Sequence, residues 1–402
     1  MWLLAVLSFV FFPLLISMVD FIPALRAGRA RAVQPTEESP TEHNFAVLVP
    51  IFGNIEYLEN VEFLRAYGDR VVLCTTDQES EEFYRDIELL TQDYGFRVVR
   101  AQLQTGEVAS GKRSTTSPIR DVIVREAVRT VTQEYVVCLD ADSFPDLGFE
   151  YLVGAMKSNG FEVVSTRLVP SNQDRFLGKL QVIEYFLAMN LRRILPWLVS
   201  GGCHAATTVA YRQVMESHSM FFQGNDVEVG LLGERFGFTV GHVEFQVGTA
   251  VPDRLRPWFR QRWAWNGGEW RLAIANIKFA PSHPFFYFYA TVIMILLFPI
   301  RWYSLVQNPW VLVLVYVIYF VLISVLLRRR WTWMCLVYPL YSCWNSLVMI
   351  ALGGISYVRM STQHHNWGQI TRARSRQPLH PSQGSRAVEG ERRALGNEPD
   401  LP

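Results

Sequence analysis

The sequence is poor in charge. Only 19% of its 402 residues are Asp, Glu, Lys or Arg, against about 25% in an average soluble domain. The deficit is concentrated in a few long windows. The sequence also lacks a charge imbalance. Its net charge is +1, so it has no basic field of the kind that attracts nucleic acid. No two cysteines stand at CxxC spacing. Cys74, Cys138, Cys203, Cys335 and Cys343 are scattered and odd in number, which argues against a disulfide scaffold or a thiolate zinc site and predicts reduced thiols. No internal repeat is visible. With half of its residues hydrophobic, the chain is not a disordered one. It has room for one soluble domain and several membrane helices.

Residues 1–25 are almost continuously apolar. A cleaved signal peptide carries its basic residues ahead of the apolar run. Here Arg26, Arg29 and Arg31 follow it, which predicts a membrane anchor with its C-terminal end in the cytoplasm. Further apolar runs cover 285–305, 309–327 and 331–357, the last broken by Pro339 and Gly353-Gly354. About 20 apolar residues cross a bilayer core, and Trp and Tyr crowd the ends of these runs as in an interfacial belt. Four single crossings would leave the C-terminus outside, against the basic tail at Arg359, Arg372, Arg374 and Arg376. Either the last run is re-entrant or the crossings are fewer. The expected division is an N-terminal helix over 1–25, a linker over 26–44, a soluble domain over 45–250, an amphipathic interface helix over 251–280, a membrane region over 281–357 and a polar, largely disordered tail over 358–402.

Within 45–250, short apolar runs at 45–52, 70–76, 96–102 and 134–140 alternate with helical stretches at 55–67, 79–94 and 118–133. Unbroken apolar strands between helices predict an α/β fold with a parallel sheet covered on both faces. Ligands of such sheets bind at the strand C-terminal ends, where Pro50, Asp77 and Asp140 fall. Two stretches, 174–199 and 255–279, mix aromatic and basic residues like helices lying in a headgroup plane.

Several motifs carry chemistry. Asp140-Ala141-Asp142 ends an apolar strand, and two carboxylates at that spacing can share Mg²⁺ or Mn²⁺ and bridge a diphosphate; the alternative is a turn with a capping Asp. Asp77 is either a base or ribose acceptor or the N-cap of the next helix. Lys112 and Arg113, after Gly111, suit a diphosphate or an acidic ring edge. Asp226 opens a helix as a cap or as a general base for an acceptor hydroxyl. Gln261 and Arg262 have the chemistry to hold a pyrophosphate, and Trp263 or Trp265 to stack on a sugar. His204 reads as part of a polar loop beneath a cleft, not as half of a Cys–His pair.

In this order the motifs resemble those of the membrane-integrated family 2 glycosyltransferases, the cellulose, chitin and hyaluronan synthase group, and among them the hyaluronan synthases and type 3 capsular polysaccharide synthases. The resemblance covers about residues 44–373. Leu48-Val49-Pro50 is similar to the family's first strand end, Asp77 to its first nucleotide-binding Asp, and Gly111-Lys112-Arg113 to its G-K-R. Asp140 and Asp142 resemble its D-x-D, Asp226 its catalytic base, Gly202-Cys203 its acceptor-side loop, and Trp367-Gly368 the W-G after its last membrane segment. Asn225 replaces the acidic residue before the base. The Q-x-x-R-W motif fits in two frames: Gln261 and Trp265 match with Ala264 in place of Arg, or Arg262 and Trp263 match with Phe259 in place of Gln. The resemblance implies a GT-A (Rossmann-like) cytosolic domain inserted between transmembrane helices in the plasma membrane. It implies a UDP-sugar donor, a divalent metal on Asp140 and Asp142, and inverting transfer to a growing polysaccharide. Donor contacts would come from Pro50, Asp77, Lys112, Arg113, Asp140, Asp142, Gln261 and Arg262. Acceptor contacts would come from Gly202, Cys203, Trp263 and Trp265. Two alternatives stand beside this reading: a non-processive transferase acting on a lipid or short oligosaccharide, and a membrane scaffold with a decayed site.

Overall fold

A computed structural model of the chain describes Leu3 and residues 7–26, 33–102, 119–220, 225–277 and 294–363. Lys112, Arg113, Trp367, Gly368 and the polar tail lie outside the described residues. At the centre is an eight-stranded sheet in the order β3-β2-β1-β4-β7-β6-β8-β5. Its first half is the one expected. β1 (Phe45–Pro50), β2 (Val71–Thr76), β3 (Arg97–Ala101) and β4 (Tyr135–Leu139) are parallel, and β1, β2 and β4 are buried at every position.

The second half departs from the parallel expectation. β7 (Cys203–Thr207) runs antiparallel to β4 and to β6 (Val163–Pro170). β8 (Val240–Thr249) is parallel to β6, and the short β5 (Ser143–Pro145) is antiparallel to β8. Alternating apolar runs do not fix strand direction. Here residues 195–202 return the chain to the C-terminal end of β4 before β7 begins, so Leu139 pairs with Cys203.

Both faces of the sheet are covered, as expected. Ala46 and Leu48 point into one core with α4 (Ile119–Thr130), α7 (Thr208–Ser217) and α8 (Asn225–Arg235). Phe45, Val47 and Val49 point into the other, with α3 (Glu81–Tyr94) and α5 (Phe149–Ser158). Each fully buried Val or Leu contributes roughly 1.5–3 kcal/mol. α3 starts where Ser80 Oγ accepts from the Phe83 N–H (3.2 Å) and ends at left-handed Gly95. The helix expected over 55–67 is reduced to 3₁₀ turns around a short α2 (Val61–Leu64), with a break at Gly68.

The expected linker is in part a strap. Val33 bridges Val243 of β8, and its carbonyl accepts from Glu244 N (2.8 Å). Glu42 N donates to Glu150 O (3.0 Å), and Glu42 pairs with Lys157. Pro40 O crosses so close to Gly154 that a Cβ there would lie 1.9 Å from it.

The two aromatic-basic stretches are helices, α6 (Phe176–Ile194) and α9 (Leu255–Ala275). α6 packs Leu180 and Ile183 against Ile323, Leu327, Met334 and Cys335. α9 lies along α13 (Ile350–Gln363), where Gly353 meets Asn266. Among the described residues one helix, Met334–Arg359, is long and apolar enough to cross a bilayer; it runs through α12 (Met334–Trp344) into α13. Two more apolar stretches, in α10 (Met294–Gln307) and α11 (Val311–Leu326), meet in a 119° bend. α1 (Phe12–Arg26) follows a π-helical turn whose Ser8 carbonyl accepts from Arg301 Nη2 (2.9 Å).

Candidate active site

The site is built where β4 ends and β7 begins. Asp140 N donates to Gly202 O (2.9 Å), and Asn60 Nδ2 donates to the carbonyls of Asp140 and Ser143 (3.0 and 2.8 Å). These bonds fix the Asp140–Ser143 turn, so both carboxylates project from a rigid strand end. Arg120, in the first turn of α4, donates through Nε (3.0 Å) and Nη2 (2.7 Å) to Asp140 Oδ1. The same Nη2 donates to Gly201 O (3.0 Å). Arg120 drew no notice in the sequence, where it stands in a plain amphipathic stretch. The available signal was its place at the start of the helix preceding the strand that ends in Asp140.

Asp142 stands open at the edge of the site. Crowding by the surrounding protein, and then the charge of Asp140, push its carboxyl up to about 6. Two carboxylates that repel one another, with Oδ2 of Asp140 left over by Arg120, fit a hard divalent cation. Among the described residues no third Asp, Glu, His or Cys joins them in a metal-binding group, so the remaining ligands of such a cation would come from substrate or water.

Asp226 is in the first turn of α8. Its carboxylate lies against Gly201, where a Cβ would be 3.1 Å from Oδ2. The carbonyl of Gly201 is thus tied to Arg120 while its Cα faces Asp226, and the D-x-D end and the candidate base meet across this one residue. Burial raises the Asp226 carboxyl above the usual carboxylate range, against the opposing charges of Arg120 and Arg192. A raised carboxyl is better suited to accepting a proton.

α8 is held to α9 by a buried cluster. Glu228 binds Arg271 and Ser219, with Asn276 Nδ2 at 3.3 Å and His218 Nε2 at 3.5 Å. Burial alone would raise the Glu228 carboxyl; Arg271, His218, Ser219 and Asn276 outweigh it and hold it at about 2.

Other expected site residues fall elsewhere. Pro50 is buried at the end of β1, paired with Cys74. Asp77 is exposed after β2, and Ser80, not Asp77, caps α3. Gly202 and Cys203 present no surface to an acceptor. Gly202 is buried against Ser143 Oγ and Leu168, and Cys203 is a core residue of β7. The glycine pair looked like a loop, but the strand starts directly after it. His204 is likewise inside β7, between Ser200 O (3.2 Å) and Tyr211 Oη (3.0 Å), and burial lowers its imidazole to about 3.

Arg262 is also not placed to clamp a pyrophosphate. It is 2% exposed, bound to Glu184 of α6, to Gln181 (3.1 Å) and to Gln261. Trp258 and Trp265 flank its guanidinium at 5.5 and 4.5 Å. Trp263 Nε1 donates to Leu352 O (2.6 Å), so its indole faces α13. Ala264 is buried, and an arginine there would have to displace packed neighbours. A separate cavity of about 520 Å³ opens beside α9, lined by Leu255, Arg256, Trp258, Phe259, Arg260 and Trp263.

Residues 135–327 match the family described as glycosyl transferase family group 2. The match begins with β4 and spans Asp140, Asp142, Asp226 and α9. No curated protein matches the chain. Among solved structures, glucosyl-3-phosphoglycerate synthase from Mycobacterium tuberculosis, in complex with Mn²⁺, UDP and phosphoglyceric acid, is similar at 16% identity and TM-score 0.37. That match covers 62% of this chain and 85% of that one. Mannosyl-3-phosphoglycerate synthase from Rubrobacter xylanophilus is similar at 13% identity and TM-score 0.39, covering 63% and 84%.

Proposed function

We propose that the protein is an inverting, UDP-sugar-dependent membrane glycosyltransferase that extends a polysaccharide. The observation that carries the reading is the meeting of Asp226 with the Arg120-bound Asp140 across Gly201 at the C-terminal end of β4, inside the stretch that matches the glycosyltransferase family. Strand C-terminal ends are where α/β sheets bind ligands.

In this reading the acceptor hydroxyl oxygen attacks the anomeric carbon in line with the leaving group. The new glycosidic bond forms as the bond from that carbon to the β-phosphate oxygen breaks. Asp226 takes the hydroxyl proton and UDP departs. Asp140 and Asp142 would hold Mg²⁺ or Mn²⁺, which neutralises charge gathering on the departing diphosphate. Arg120 orients Asp140, and its own charge lies toward the same diphosphate. Asn60 and the Asp140–Gly202 hydrogen bond hold the turn still, which places the donor without reorganisation at the moment of reaction.

The exposed apolar faces of α10, α11 and α12, including Leu296, Val317, Val325 and Leu340, support membrane-embedded helices; in this reading the membrane is the plasma membrane, and Arg26, Arg29 and Arg31 after the first apolar run support a cytoplasmic catalytic domain. The test is UDP release by the full chain in lipid nanodiscs across a panel of UDP-sugars with Mg²⁺ or Mn²⁺, followed by product sizing. Long products support a polysaccharide synthase. Products extended by one or a few sugars favour the non-processive alternative. Binding of a UDP-sugar without release, with every acceptor, leaves the decayed-site alternative.

A further inference from the structure

The loop after β1 is fastened on both sides. β1 stands between β2 and β4, parallel to both. The chain continues from it to β2 on one side, and β4 lies on the other. The crevice outside the end of β1 is therefore the switch point where such sheets take their ligands. On the β4 side Glu59 N donates to Ala141 O (3.0 Å), and Asn60 Nδ2 holds the carbonyls of Asp140 and Ser143. On the β2 side the Gly53 N–H donates to Glu79 Oε2 (2.8 Å). The other oxygen, Oε1, accepts from the Thr76 hydroxyl (2.6 Å) at the end of β2. One carboxylate thus ties the turn after β1 to the end of β2.

Glu79 is itself held. Its N–H donates to Tyr84 Oη (3.0 Å), and that hydroxyl donates to Thr76 O (2.8 Å). Arg100 of β3 lies over the Tyr84 ring at 4.2 Å, and Asp77 N donates to Ala101 O (3.0 Å). Between these tied points Gly53 and Asp77 are exposed. Gly53 has a φ of 81°, the left-handed region that glycine enters without strain. In the proposed reaction the diphosphate belongs with Asp140 and Asp142 at the β4 end of the crevice. The nucleoside attached to it then extends toward the β2 end, between the Gly53 turn and Asp77.

Resting on the proposed UDP-sugar reading, we infer that Glu79 is a positioning residue that fixes the spacing between the Gly53 turn and Asp77 and so selects the nucleotide base. Its two oxygens are taken by Gly53 and Thr76, so it acts through the wall it holds and not by touching the nucleotide. A site tells one base from another by leaving polar groups unpaired when the wrong ring enters. That works only where the partners are held to within about 0.5 Å.

The test is a calorimetric panel on the full chain in nanodiscs with Mn²⁺: UDP, CDP, ADP, GDP and inorganic pyrophosphate. The wild type is expected to favour UDP over the other nucleotides by roughly 10- to 100-fold. In Glu79→Ala that preference should shrink by roughly 10-fold while pyrophosphate binds as before. Glu79→Gln, whose one amide oxygen can serve only one of the two donors, should keep part of it. Gly53→Ala leaves Glu79 in place but strains the turn, and should lose the preference in the same way. A UDP preference unchanged in either alanine variant overturns the inference, and so does a wild type with no preference among the bases. An equal loss of UDP and pyrophosphate in both Glu79 variants also overturns it, since Glu79 would then serve only the fold. The two readings fail separately. If another base is preferred and that preference depends on Glu79, the inference stands and the UDP donor falls. If UDP is selected through Glu79 but no UDP-sugar is turned over with any acceptor, the transferase reading falls and the nucleotide site stands.

Discussion

One oxygen of Asp140 accepts twice from Arg120, at 3.0 and 2.7 Å, and the same guanidinium reaches the carbonyl of Gly201. The Arg120→Ala chain should lose both the orientation of Asp140 and the partner of Gly201 O. UDP affinity, measured by calorimetry with Mn²⁺ present, is expected to weaken by roughly 10- to 100-fold. Arg120→Lys, a single-point cation without the fork, should recover only part of it.

Asp226→Asn should bind UDP-sugar as the wild type does while transfer falls by roughly 100- to 10,000-fold, the range of a lost general base. UDP release in nanodiscs reads the transfer and calorimetry the binding. Transfer retained in the Asn variant would remove Asp226 from the role of base.

Asp142 sets a pH dependence. Its carboxyl is raised to about 6, so it is largely protonated below that value in the absence of a cation. A group raised on folding favours the folded state below its unfolded value, and that contribution is lost as pH rises through about 6. The metal-free chain should therefore gain melting temperature as pH falls from 7 to 5. Stabilisation by Mn²⁺ should run the other way, large at pH 7 and small at pH 5. In Asp142→Asn both trends should flatten.

Glu228 and Arg271 are both buried, and removing either leaves the other uncompensated. Glu228→Gln should cost about 3–5 kcal/mol of stability, read by denaturant unfolding, while the paired change Glu228→Leu with Arg271→Leu should cost less. Because Glu228 is held at about 2, its contribution is complete above the ordinary carboxylate range and fades as pH falls toward 2.

Much of this was legible in the sequence. FAVLVP, VVLC and YVVCL are unbroken apolar runs, and each lies in a buried parallel strand. The acidic pair and Asp226 were visible because carboxylates at the end of an apolar strand, or at the start of a helix, are local signals. What failed to show depends on distance along the chain. Strand direction in β5–β8 is set by connections, not composition. Cys203 is strand core, although the preceding glycines read as loop. Arg262 reads as a ligand-binding cation until Glu184, far earlier in the chain, is seen to bind it. Arg120 was missed for the converse reason, since an ordinary helix residue takes its meaning from Asp140.

The pairing of Val33 with Val243 also limits reach. Seven peptide steps separate Arg26, the end of α1, from Val33, and fully extended they measure about 25 Å. Phe21 of α1 is seated against the core that carries α8. The N-terminal helix is thus on a short leash as well as in contact, and the central sheet cannot drift from it by more than the leash allows. If α1 is embedded in a bilayer, the domain works at a fixed height above the membrane, and its product emerges within that distance of the lipid.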